Sequence, residues 1–138
     1  MKHIHFDVKS DGFYGAYWEC KGGSDCTVIA MLGDDPEDHM ARSAVKWLLR
    51  LGVNVLTMSP AKKDYSHHNY PLECIEKAIA WLKSHGSAKI GIAGASTTGT
   101  LALTAASILD DISLTVAMTP SDFVWQGFMQ GKKDGCKE

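Results

Sequence analysis

Lys89-Ile90-Gly91-Ile92-Ala93-Gly94-Ala95-Ser96-Thr97-Thr98-Gly99-Thr100 is the stretch whose reading decides the fold. Lys89 to Ala93 has the short apolar run of a buried strand. Gly94 to Gly99 then turns directly into a helix that continues to about Ile108. A chain that passes from strand to helix in so few residues needs small side chains at the bend, and Gly94, Ala95 and Gly99 supply them. A helix leaving a strand this abruptly crosses back over the sheet, which predicts a parallel β-α-β unit.

Upstream, Thr27 to Leu32 and Val53 to Thr57 are apolar runs of the kind buried on both faces of a parallel sheet. Between them, Asp35 suits a helix N-cap and Pro36 the first helical position, and Met40, Ala44, Trp47, Leu48 and Leu51 recur at helical spacing before Gly52. Pro71 opens a second helix with Leu72, Ile75, Ile79 and Leu82 on one stripe and Gly86 at its end. Leu114 to Met118 is a further strand. At the front, His3 to Lys9 alternates, with Ile4, Phe6 and Val8 on one face. Asp11-Gly12 marks a turn and Phe13 to Cys20 is a second strand. The expected architecture is α/β: a mainly parallel sheet with an N-terminal antiparallel hairpin and helices on both faces, one domain over residues 1–138.

Composition narrows the function classes. The chain has 138 residues, 45% hydrophobic and 22% charged, as in a soluble globular protein. A net charge of -2 gives no electrostatic reason for a nucleic-acid partner, and the pairs Lys62-Lys63 and Lys132-Lys133 read as solvated surface. No stretch is apolar for long enough to span a bilayer, and the first twelve residues lack a signal-peptide core, so a cytoplasmic location is expected. Cys20, Cys26, Cys74 and Cys136 form no CxxC pair, which suits free thiols, although Cys20 and Cys26 flank a turn and could meet. No Cys or His positions show zinc-ligand spacing, and no metal or cofactor is implied.

The chemistry concentrates at Ser96. A serine two residues past a strand, flanked by small residues and followed by a helix, has the layout of a nucleophile elbow. The helix N-terminus behind it offers N–H groups to a developing oxyanion, with Thr97 as one donor and Asp34, in the loop after the third strand, as the second. The usual pattern is G-x-S-x-G. Here Thr98 stands at the second glycine position and the glycine follows at Gly99. The alternative is that Ser96 or Thr97 only caps a helix in an ordinary β-α turn. Gly94 and Gly99 also have the glycine spacing of a phosphate-binding loop, but Thr100 and Leu101 stand where lysine and a hydroxyl residue are needed.

Ile90 to Ser107 resembles the elbow and following helix of the acyl-CoA thioester hydrolase and bile-acid-CoA:amino acid N-acyltransferase family, which has an α/β-hydrolase fold. Tyr70 to Leu82 resembles the helix before that elbow, and Met118 to Phe123 the segment after the next strand. The resemblance implies a serine-dependent hydrolase or acyltransferase acting on a small-molecule acyl ester or thioester, with Ser96 as nucleophile. It also implies that further strands follow, so the sheet here lacks the last ones.

A serine nucleophile needs a base, and in this fold the order is Ser, acid, His. No histidine follows Ser96. His67 and His68 lie in a loop that opens at the same sheet edge and are candidate bases; Asp122, just after the last strand, is a candidate acid and equally a turn residue. His39 and His85 sit near helix ends, and His3 and His5 are expected to be solvated. A strand at Leu114 to Met118 left as a sheet edge would favour self-association. The alternative function is therefore a non-catalytic α/β module that forms a homo-oligomer through that edge, and a third is an anion-binding domain built on the helix after Gly94.

Overall fold

The computed structural model describes residues 3–59 and 70–123. Six strands form one sheet in the order β1-β2-β4-β3-β5-β6. They are β1 (Ile4–Phe6), β2 (Gly15–Trp18), β3 (Cys26–Met31), β4 (Asn54–Met58), β5 (Lys89–Ala95) and β6 (Ile112–Met118). β1 pairs antiparallel with β2, and β2 antiparallel with β4. β4, β3, β5 and β6 run parallel, as the alternation of strands and helices predicts. The helices are α1 (Val8–Asp11), α2 (His39–Arg50), α3 (Glu73–Ser84) and α4 (Thr97–Ile108).

Successive residues of the central strands feed opposite faces. Ile29, Met31, Leu56 and Ile92 join Ile75 and Leu82 of α3 and Ala102 and Ala105 of α4 in the larger apolar cluster. Ala30 and Val55 join Val45 and Leu48 of α2 in the smaller one. The sheet is thus covered on both faces. The buried polar groups are paired: the Asn54 side chain accepts from Cys20 N–H (3.0 Å) and donates to the Ser24 carbonyl (2.8 Å), which fixes the turn between β2 and β3. Cys20 and Cys26 flank that turn, and both are free thiols, as is Cys74. Cys136 lies outside the described residues.

Four expectations from the sequence change. The first strand stops at Phe6, because Asp7 accepts from Lys9 N–H and starts α1, whose C-cap Gly12 adopts φ 80. α2 begins at His39 and not at Pro36: Asp35 uses its carboxylate on Glu37 N–H (2.9 Å) in a local turn, and Asp38 becomes the N-cap. The core-facing stripe of α2 is Ala41, Val45 and Leu48, whereas Met40, Trp47 and Leu51 are exposed. His3 and His5 are not simply solvated either. Both contact the Glu37 carboxylate, at 2.7 and 3.2 Å, and His3 stacks on Trp18 with ring centroids 4.1 Å apart.

Of the expected α2 stripe, Leu48 faces the core and Trp47 does not, which has a measurable consequence. Leu48 is 7% exposed and Trp47 63%. Leu48→Ala is expected to cost about 2–5 kcal/mol in chemical denaturation. Trp47→Ala, although it removes the larger side chain, is expected to stay within about 0.5 kcal/mol.

Candidate active site

β5 ends at Ala95, and the next residue, Ser96, has φ 54 and ψ -121. Only Ser96 and Thr119 combine a side chain with positive φ among the described residues. Such a backbone costs on the order of 1–3 kcal/mol and persists only where the surroundings impose it. Three contacts impose it here. Ser96 N–H donates to the Met118 carbonyl at the end of β6 (2.9 Å). A side chain at Gly94 would collide with the Thr98 carbonyl, its Cβ falling 2.1 Å from that oxygen, so only glycine lets the turn close. Thr100 N–H then donates to the Ser96 carbonyl (3.1 Å) and begins α4.

Ser96 occupies the N-cap position of α4 but makes no side-chain capping bond, and its dihedrals are not the extended ones that capping uses. The capping alternative is therefore excluded for Ser96. The residue is exposed, with its hydroxyl at the carboxyl edge of the sheet, beside the positive end of a twelve-residue helix. Thr97 is the first residue of that helix, where N–H groups have no intrahelical acceptor, which is the position an oxyanion donor requires.

Thr98 is 5% exposed, and its hydroxyl accepts from Ala95 N–H (2.9 Å) and stands 2.6 Å from the Met31 carbonyl as donor. Gly99 takes over the close approach expected one place earlier: a Cβ there would lie 3.1 Å from the Met118 carbonyl. The displaced glycine thus reports a shifted contact, and the turn still closes.

Asp34, expected as the second oxyanion donor, has its N–H directed elsewhere. It donates to Asp38 Oδ2 (2.8 Å), and its carbonyl accepts from the Ser59 hydroxyl (2.8 Å). Asp38 also takes the N–H groups of Asp35 (3.2 Å) and, through Oδ1, Ala41 (2.8 Å). Burial pushes its carboxyl pKa up, but the N–H groups of Ala41, Asp35, Asp34 and Met40 outweigh this and hold it below the ordinary aspartate value. Sequence reasoning missed Asp38. The available signal was an aspartate directly before the apolar-periodic run, which Asp35 and Pro36 masked.

Asp122 is exposed and lies along an open cleft on α4 with Thr100, Leu103, Thr104 and Phe123, and the adjoining Ser121 N–H is held by the Thr100 hydroxyl (2.9 Å). His67 and His68 lie outside the described residues. His39 opens α2, and His85 caps α3, its Nδ1 2.9 Å from the Trp81 carbonyl and its ring stacked on Trp81. Among the described residues, no cluster of three or more His, Cys, Asp or Glu is placed to hold a metal, and no helix is long and apolar enough to cross a membrane.

Comparison with known proteins bears on the fold. Residues 70–137 match the family described as BAAT / Acyl-CoA thioester hydrolase C terminal. The Pyrococcus furiosus esterase Pf2001, in two crystal forms, is 25% identical with TM-scores of 0.67 and 0.64. It covers 86% of this chain and 51% and 48% of its own. Est1E from Butyrivibrio proteoclasticus is 20% identical with a TM-score of 0.63, over 87% of this chain and 51% of its own. The chain therefore shares the α/β fold of these proteins and spans about half their length. No curated protein matches it in sequence.

Replacing Asp38 tests the loop. Asp38→Ala removes the α2 cap and is expected to cost about 1–2 kcal/mol. Because the folded carboxyl lies below its ordinary value, its contribution is complete above the unfolded pKa and is lost as pH falls through the folded one. Denaturation curves of wild type and variant should therefore differ at neutral pH and converge below about pH 4.

Proposed function

We propose that this chain is the nucleophile-bearing part of a serine-dependent acyl hydrolase or acyltransferase acting on a small-molecule ester or thioester. The supporting observation is Ser96: exposed, held at φ 54, its hydroxyl unused as a helix cap and set at the α4 N-terminus. The match of residues 70–137 to an acyl-CoA thioester hydrolase family and the likeness to an esterase favour acyl transfer over anion binding.

In this reading Ser96 Oγ bonds to the acyl carbon, the alkoxide or thiolate departs, and the hydroxyl proton passes to a base. Water or an amine acceptor then takes the acyl group and returns the enzyme to its starting state. Thr97 N–H faces the carbonyl oxygen as it gains charge. Asp34 enters as second donor once the Asp38 carboxylate has moved off its N–H. His67 and His68 are the candidate bases and Asp122 the candidate acid. The expected location is the cytoplasm, consistent with three free thiols among the described residues. Intact-mass labelling with a fluorophosphonate should give one adduct, absent in Ser96→Ala. A folded wild-type chain that stays unlabelled would sink the nucleophile assignment for residues 1–138.

A second reading, self-association, is favoured by β6. It is the outer strand of the described sheet, and its sequence, ISLTVAM, has no charge or proline to discourage pairing. Leu114, Val116 and Met118 are 61, 45 and 44% exposed on one face. Antiparallel pairing about a two-fold axis at Val116 sets Leu114 against Met118 of a second copy. Light scattering at micromolar concentration should report a dimer, and Val116→Lys a monomer. A wild-type monomer at every concentration would exclude this pairing.

A further inference from the structure

We infer that Thr98 is a positioning residue that ties the nucleophile turn to the strand from which the oxyanion loop departs; this rests on Ser96 being the nucleophile. The inference comes from where the Thr98 hydroxyl goes. Thr104 and Ser107 of α4 bond back into their own helix, to the Thr100 carbonyl (2.9 Å) and the Thr104 carbonyl (2.8 Å). Thr98 does not. Its Oγ1 accepts from Ala95 N–H, the residue immediately before Ser96, and lies 2.6 Å from the Met31 carbonyl, 67 positions earlier in the chain. The Ala95 carbonyl, at 2.9 Å, is the other acceptor within reach of its one proton, and the shorter distance assigns that proton to Met31.

Met31 is the last residue of β3, and Leu32-Gly33-Asp34 follows directly. One buried side chain therefore couples the residue before the nucleophile to the start of the loop that carries Asp34. On the other flank, Ser96 N–H is held by Met118 of β6. The turn is braced from both strands that border β5. Glycine, the residue expected at this place in the elbow pattern, has no atom with which to make the β3 half of that brace. The steric demand that glycine ordinarily meets falls here on Gly99. Position 98 is thereby released to carry a hydroxyl.

If the brace only stabilised the fold, its loss would lower the melting temperature without changing how each folded molecule reacts. A positioning role predicts a different split. Removing the hydroxyl should slow phosphonylation of Ser96 by the probe and leave probe binding alone, because angstrom-scale misplacement of a reacting group slows chemistry by about ten- to a hundredfold. The experiment compares wild type with Thr98→Val, Thr98→Ala and Thr98→Ser in fluorophosphonate labelling. The inactivation rate constant and the half-saturating probe concentration are measured separately, below the melting temperature of each variant.

The expected result is a fall of about tenfold or more in the rate constant for Val and Ala, unchanged half-saturation, and recovery to within about twofold for Ser. Wild-type rates in folded Val or Ala would overturn the inference. Should wild type itself fail to label, the nucleophile reading falls and Thr98 is judged by amide hydrogen exchange. Faster exchange at Ala95 and over 32–34 in Thr98→Ala, restored in Thr98→Ser, retains the brace. Unchanged exchange in both segments overturns it.

Discussion

A single backbone dihedral governs this structure. Ser96 sits at φ 54, where an L-residue is placed only under compulsion, and the surrounding elements are arranged so that the compulsion holds. β6 supplies the Met118 carbonyl to its N–H, and α4 begins by bonding back to its carbonyl. β3 reaches the same turn through Thr98. The parallel order β3-β5-β6 is what brings those three elements to one place, so the topology of the sheet and the strain at one residue are parts of the same arrangement.

The loop after β3 shows the opposite situation, a segment held by satisfied polar groups and not by strain. Asp38 gathers N–H groups from Asp34, Asp35 and Ala41, while Ser59 takes the Asp34 carbonyl. Gly33, at φ 135, is the point where the chain bends over that carboxylate, and a Cβ there would fall 2.5 Å from Asp38 Oδ1. The same carboxylate that starts α2 also occupies the Asp34 N–H. Under the proposed function, helix initiation and oxyanion binding by this loop would compete for one side chain.

Much of the fold was readable in the residues, and the failures have physical causes. The strands and their succession along the chain follow from apolar runs and glycine bends, which depend on local chemistry; their order in the sheet does not. α2 was legible as a helix but not in its orientation. Met40, Ala44, Trp47, Leu48 and Leu51 recur at helical spacing, and so do the buried Ala41, Val45 and Leu48; the two sets share Leu48, both have the right period, and only contact with Trp18 and Val55 decides between them. The choice between Asp35 and Asp38 as cap likewise depended on a turn that consumes Asp35. The tight turn at Ser96 was legible because its surroundings are small and contiguous. Thr98 read as a departure from a pattern because its partner, Met31, lies on another strand and no local rule connects them.

The dihedral at Ser96 also constrains how this position can change over generations. Glycine adopts positive φ without penalty, and asparagine and aspartate adopt it more readily than other residues, whereas valine, isoleucine or threonine would add branching to a backbone already out of range. A lineage in which the hydroxyl no longer mattered would therefore drift toward glycine or asparagine here, since each such step relaxes the turn. Serine is the residue such drift would leave behind, and its presence in a descendant would carry more information than the presence of any core residue in the same sheet.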